Sequence, residues 1–194
     1  MTKVTYQITS DLGFTLDFRD EPFDPVEGWT LRTDVGWGDQ FYPKDTTYVW
    51  VQSQAKLYQP LVWRFLSAFA LEGGQFLNPT TFDAAKIFWM GGPRTVRSYG
   101  FDELRPQDTL HALQPRYIRA SAELRMNLPW SFQLVGFLDG ARIWNKGQDP
   151  LLWDAEQWKK AYGPGIRYRF TILSFRLDYS VNTGVLAFDL AQAI

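Results

Sequence analysis

The chain has 194 residues and a formal charge of -1, so its length suits one domain and its charge offers no basic surface for nucleic acid. It has no cysteine, which excludes disulfides and thiolate metal sites, and its one histidine, His111, is read as a solvated loop residue that leaves no multi-histidine site or Ser–His relay. Aromatic residues make up 17% of the chain, with 9 Trp, a load that a membrane barrel distributes in belts at its two water–lipid boundaries.

No apolar run approaches the length of a membrane-crossing helix, the longest lying around Phe65–Leu71. A barrel needs none, because only alternate residues meet lipid. Residues Met1–Val4 lack the apolar core of a signal peptide, and Met1 is read as a domain start.

The first segment sets the period. From Val4 to Phe18 one parity reads Val4, Tyr6, Ile8, Ser10, Leu12, Phe14, Leu16, Phe18, and the other Thr5, Gln7, Thr9, Asp11, Gly13, Thr15, Asp17. Such alternation over this length predicts a strand with one apolar face. After a turn over residues 19–28, Trp29, Leu31, Val35 and Trp37 share a face against Thr30, Arg32 and Asp34. A tilted strand crosses a layer of about 25 Å in roughly ten residues, which puts Trp29 and Trp37 near the two ends of one crossing.

Tyr48–Tyr58 predicts Val49, Val51, Ala55 and Leu57 outside, with Gln52, Gln54 and Lys56 inside. Trp63, Phe65, Phe69 and Leu71 alternate with Arg64 and Glu72; Ile118, Ala120, Ala122, Leu124 and Met126 alternate with Arg119, Ser121, Glu123 and Arg125. Ser131–Trp144, Gly165–Ile172, Ser174–Val181 and Gly184–Ile194 complete about eight or nine strand-length runs. Residues 59–61, 128–130 and 172–174 read as minimal turns, and 38–47, 73–114 and 145–162 as long loops. That asymmetry is the outer-membrane arrangement of periplasmic turns and extracellular loops. The expectation is an all-β, antiparallel transmembrane β-barrel over residues 1–194. An odd strand number means either one misplaced boundary or, the reading preferred, the C-terminal part of a larger barrel. Residues Leu151–Lys160 fit either a short amphipathic helix at the membrane surface or a folded extracellular loop.

Loop 73–114 carries Phe88-Trp89-Met90-Gly91-Gly92-Pro93-Arg94-Thr95-Val96-Arg97-Ser98-Tyr99. Two glycines and a proline force a tight backbone just ahead of the arginines. The segment resembles the hallmark of a superfamily that joins outer-membrane assembly insertases (BamA- and TamA-like) and two-partner-secretion transporters. In that family Gly-Gly precedes Val-Arg-Gly-Tyr/Phe on a loop folded into the barrel lumen, and the resemblance implies that loop 73–114 folds inward. Here the match is Gly91, Gly92, Val96, Arg97, Ser98 and Tyr99, with Ser98 in place of the usual glycine.

More of the chain is similar to the family, in family order. Asp17–Asp20 through Asp24–Gly28 resembles its periplasmic turn, Ile118–Leu128 the strand after the loop, and Val135–Arg142 the next strand. Tyr162–Tyr168 and Phe175–Tyr179 resemble the last hairpin, and Leu186, Phe188, Leu190 and Ile194 the terminal assembly signal. Gly74-Gln75, Phe82–Phe88 and Gly-Gly-Pro before the arginine lean toward the two-partner-secretion branch.

The resemblance implies that Arg97 meets Glu123, Phe137 and Asp139 on the inner wall, and parity permits it. It also implies an outer-membrane protein of a Gram-negative bacterium that transports or inserts unfolded polypeptide clients without ATP, cofactor or metal. The expected partners are the lipid bilayer, the client, and either a second copy or the missing N-terminal part of the barrel. No counterpart of the family's periplasmic POTRA modules is expected within residues 1–194. No Gly-x-Ser-x-Gly, His-Glu-x-x-His or Gly-Lys-Ser/Thr motif points to an enzyme. Other readings of the same pattern are a passive pore or structural barrel, and a soluble β-protein with a ligand between its sheets.

Overall fold

A computed structural model describes residues 6–22, 24–42, 45–81, 84–105, 113–147, 157–170 and 173–191. Among the described residues nine strands follow one another in a single antiparallel sheet, in the order of the chain: β1 (Tyr6–Asp17), β2 (Gly28–Tyr42), β3 (Thr46–Pro60), β4 (Phe65–Phe76), β5 (Pro115–Asn127), β6 (Phe132–Asn145), β7 (Lys159–Arg169), β8 (Ser174–Ser180) and β9 (Val185–Ala191). Among the described residues there is no α-helix, and no helix is long and apolar enough to cross a membrane. Each strand pairs only with its sequence neighbours, so β1 and β9 are the edges of this sheet.

Alternation sorts the side chains onto two faces. Leu31, Val35 and Trp37 on β2, Leu57 on β3, Phe69 and Leu71 on β4, Leu124 on β5 and Leu138 on β6 are all exposed on one face. Glu123, Arg125, Asp139, Arg167, Arg176 and Asp178 are buried on the other. A water-soluble domain does the reverse, because a contiguous apolar patch beyond a few hundred Å² drives association. Exposed apolar wall and buried charge together are the arrangement of a barrel whose solvent outside is hydrocarbon.

One end of the sheet carries a run of aromatic rings. Phe18 packs at a tilt on Trp29 at 4.7 Å and Phe132 on Tyr168 at 4.9 Å, while Tyr168 meets Phe170 at 4.9 Å and Phe170 meets Phe175 at 5.3 Å edge to face. The four-residue turns at that end hold Trp63 and Trp130 at positive φ (61° and 58°), with the side chains 77% and 86% exposed. Large exposed rings at the ends of strands fit an interfacial belt.

The expected turn 59–61 lies at 61–64, with Trp63 in the turn and not on the strand, and three long-loop boundaries also differ from the sequence expectation. The expected loop 38–47 is mostly strand, with β2 reaching Tyr42 and β3 starting at Thr46. The expected loop 73–114 begins instead after Phe76, since Gly73 and Gly74 lie inside β4. Both differences have one cause: Gly38 and Gly74, inside the two expected loops, stand opposite Tyr48 and Tyr117 in the register, as Gly36 within the expected strand stands opposite Trp50, and each ring lies across its glycine. A Cβ at Gly74 would sit 2.6 Å from the Tyr117 ring. These glycines make room for inward aromatics, and do not break strands.

The third difference is β7, which starts at Lys159 and absorbs part of the expected loop 145–162. Pro164 is tolerated there because the ladder to β8 begins only at Gly165. The expected β9 end at Ile194 lies outside the described residues, as do His111 and the greater part of segment 151–160.

Candidate functional site: a loop arginine inside a carboxylate cage

The connection from β4 to β5 folds back over the buried face of the sheet. It is anchored first by apolar packing. Phe88, at the end of a short 3-10 turn (Ala84–Phe88), sits 4.8 Å from the rings of both Phe76 and Tyr117 and 6.3 Å from Trp50. Met90, Val96 and Leu104 join the same core as Val135, Phe137, Ala141 and Ala161 of β6 and β7. Burial of side chains this size contributes about 1.5–3 kcal/mol each.

Gly91 and Gly92 then turn the chain, both at positive φ (124° and 96°). A Cβ on Gly91 would run into the carbonyl of Gly100, so the turn requires glycine there. The amide of Gly91 donates to Thr95 Oγ1 at 2.8 Å and that of Gly92 to the Tyr99 carbonyl at 2.8 Å, closing residues 91–99 into a compact knot. The knot presents Arg97 to the wall.

The Arg97 side chain is 3% exposed and meets three carboxylates from three strands. Nη2 donates to Glu123 Oε1 on β5 at 2.5 Å, Nε lies 3.0 Å from Asp139 Oδ2 on β6, and Nη1 donates to Asp178 Oδ2 on β8 at 3.0 Å. The Phe137 ring lies 4.1 Å below the guanidinium, so its π-face supplies a fourth favourable contact. Burial by itself would lower the proton affinity of Arg97, but the charges of Glu123, Asp139 and Asp178 more than offset it and hold it above the usual value.

The wall is itself cross-linked. Glu123 also takes Arg125 through Oε2 at 2.8 Å, Arg167 of β7, and Arg176 of β8 at 3.4 Å. Ser121 Oγ donates to Asp139 Oδ1 at 2.7 Å. Around Glu123, Asp139 and Asp178 stand Arg97, Arg125, Arg167 and Arg176, so the buried cluster holds one more positive than negative charge. Among the described residues no group of His, Cys, Asp or Glu is arranged to hold a metal, and the three carboxylates here are occupied by guanidiniums.

The structure brings Arg97, Glu123, Phe137 and Asp139 into direct contact. Val96 is fully buried beside them. Ser98 turns away, its Oγ 3.3 Å from Asn182 Oδ1 in the β8–β9 turn, and Tyr99 packs on the edge of the apolar core. Leu186, Phe188 and Leu190 stand apart from this site, exposed on the apolar face of β9. Sequence reasoning missed Asp178 and the arginines 125, 167 and 176 as members of the cluster. Parity places all four on the polar face, but only the fold brings β8 and β5 to the same point.

An antiparallel sheet with an exposed apolar face, buried charge on the other face and a long loop pinned to that charged face by an arginine has the arrangement of an outer-membrane β-barrel wall. The chain belongs to the Omp85 superfamily, whose domain model matches residues 2–190; this is a family of outer-membrane protein insertion and secretion. Among solved structures it is similar to BamA from Haemophilus ducreyi lacking POTRA domains 1-3, at 15% identity and a TM-score of 0.58, over 95% of this chain and 40% of that one. The chain therefore spans less than half the length of that relative. Comparison with curated proteins finds no match.

Proposed function

We propose that this chain is the loop-bearing part of an outer-membrane barrel of a Gram-negative bacterium that handles unfolded polypeptides, as a two-partner-secretion-type transporter or as an insertase of outer-membrane proteins. The observation that carries the reading is Arg97 shared among carboxylates of β5, β6 and β8. A passive pore has no use for a plug fastened by one residue to three strands. A gate does, because a compact set of discrete ion pairs has a seated and a released state and few arrangements between.

No chemical step or cofactor belongs to this activity. The client passes through the lumen once the loop leaves, or adds to an open sheet edge by β-augmentation. Bare edges cannot face hydrocarbon, where each unsatisfied backbone group costs several kcal/mol. β1 and β9 therefore take further strands, from a longer parent or from a second copy; the 40% coverage of the BamA relative supports the longer parent.

The test is Arg97→Ala in the full-length protein. Secretion or assembly of the client should fall while barrel insertion, read from heat-modifiable gel migration, stays in place. Unimpaired transport and assembly would sink the reading, and a steady conductance indifferent to the substitution would point to a passive pore.

A further inference from the structure

The ladder along the sheet is uneven. Every neighbouring pair from β1 to β7 runs over ten or more residue pairs, whereas among the described residues β7 and β8 pair in register only over Gly165–Arg169 with Ser174–Asp178, with one further backbone bond from Val181 to Tyr162, and β8 and β9 share seven. The terminal hairpin is thus the part of the sheet least held by its own backbone. It is also where the loop makes contacts that the Arg97 cage does not explain.

Arg94 reaches β9. Its Nε donates to Asp189 Oδ2 at 3.0 Å, its Nη2 to Asp189 Oδ1 at 3.3 Å, and the same Nη2 to the backbone carbonyl of Leu190 at 3.1 Å. Asp189 stands opposite Arg176 in the register, yet Arg176 turns to Glu123 and Asp178, and the fork of Arg94 takes the Asp189 carboxylate. The backbone of Arg94 is fixed independently: its carbonyl accepts from Arg119 Nη1 at 2.6 Å, and Arg119 Nη2 is bound to Glu72 at 2.6 Å. A continuous strut therefore runs from Glu72 on β4, through its cross-strand partner Arg119 on β5 and the exposed Arg94 on the loop, to Asp189 on β9.

We infer that Arg94 is a second anchor of the loop, and that its role is to hold the edge strand β9. The loop is seated by Arg97 and in turn positions the terminal hairpin through Arg94. Seating of the loop and order of the hairpin are then linked, and the linkage runs both ways: loosening either end loosens the other. Arg94 is a positioning residue and has no chemistry of its own. The inference concerns the conformation of the barrel and stands whichever client the protein handles.

Hydrogen exchange on the full-length protein in nanodiscs tests it. Arg94→Ala should speed exchange of the β9 amides, residues 185–191, by at least about threefold while β3 to β6 stay protected, since local opening is governed by local contacts. Arg94→Lys keeps the charge but loses the two-pronged contact, and should fall between. The swap Arg94→Asp with Asp189→Arg should return exchange toward the native rate.

The reciprocal experiment uses the absence of native cysteine. Val96→Cys places one thiol at a fully buried loop position, and adding Asp189→Asn should raise its alkylation rate. Native gel migration confirms that each variant is folded. Unchanged β9 exchange in Arg94→Ala, or unchanged labelling on adding Asp189→Asn, would overturn the proposal.

Discussion

Glu123→Gln is the most informative single substitution in the cage. It keeps the shape of the side chain and removes one charge. Glu123 accepts from Arg97 at 2.5 Å and Arg125 at 2.8 Å, contacts Arg176 at 3.4 Å and binds Arg167, so four guanidiniums depend on it. Neutralising it leaves those four facing only Asp139 and Asp178. The new amide must also turn an N–H toward a guanidinium, placing donor against donor. Loss of one partner in a buried ion pair costs about 3–5 kcal/mol, and that range is the expected destabilisation.

By contrast, Arg97→Ala leaves Glu123 with three arginines. The carboxylate it leaves without a cation is Asp139, which keeps only the Ser121 hydroxyl and the backbone amide of residue 97. Glu123→Gln should therefore be the worse of the two, although it is the smaller change in volume. Urea unfolding in detergent micelles, followed by tryptophan fluorescence, measures both. A Glu123→Gln midpoint within about 1 kcal/mol of the native value would refute the reasoning, because it would mean that water in the lumen screens the cluster.

Other outcomes follow from the same structure. Leu71, midway along β4 on the apolar face, should cost about 2–4 kcal/mol of insertion stability when changed to Arg, while Gln52→Arg, beside Asp34 on the opposite face, should stay within about 1 kcal/mol; similar values for the two would contradict the assignment of faces. Gly74→Ala should destabilise by about 1–3 kcal/mol by pressing on Tyr117, seen as a lowered unfolding midpoint, and an unchanged midpoint would mean the ring moves freely. Phe88→Ala should weaken the loop seat by about 3–5 kcal/mol and expose residues 89–105 to protease while the strands stay resistant; a resistant loop would assign the seat to Arg97 alone.

Much of this fold is legible in the sequence because a membrane wall enforces a strict two-residue period. The parity of Leu12, Phe14 and Leu16, and of Val49 through Leu57, needs only the rule that one face meets hydrocarbon. Strand ends were less legible where glycine did something other than punctuate. Gly38 and Gly74 fall in the expected loops, yet each lies beneath a cross-strand ring, a relation set by register that no local window contains. Arg97 and its neighbours on β5 and β6 were visible through a motif and through parity. Asp178 was not, because its contact with Arg97 depends on sheet curvature bringing β8 round to face the loop. The Arg94–Asp189 strut joins residues 95 apart in the chain and carries no local signature.

The central claim is that the loop lies inside, held by Arg97, with the greasy row of each strand turned to lipid. A cryo-electron microscopy structure of the full-length protein in lipid nanodiscs tests it directly. The account predicts the Arg97 guanidinium within hydrogen-bond reach of Glu123, Asp139 and Asp178, and Leu31, Leu71 and Leu138 bordering the lipid density. A loop lying outside the barrel, or that leucine row packed beneath another protein layer, would contradict it.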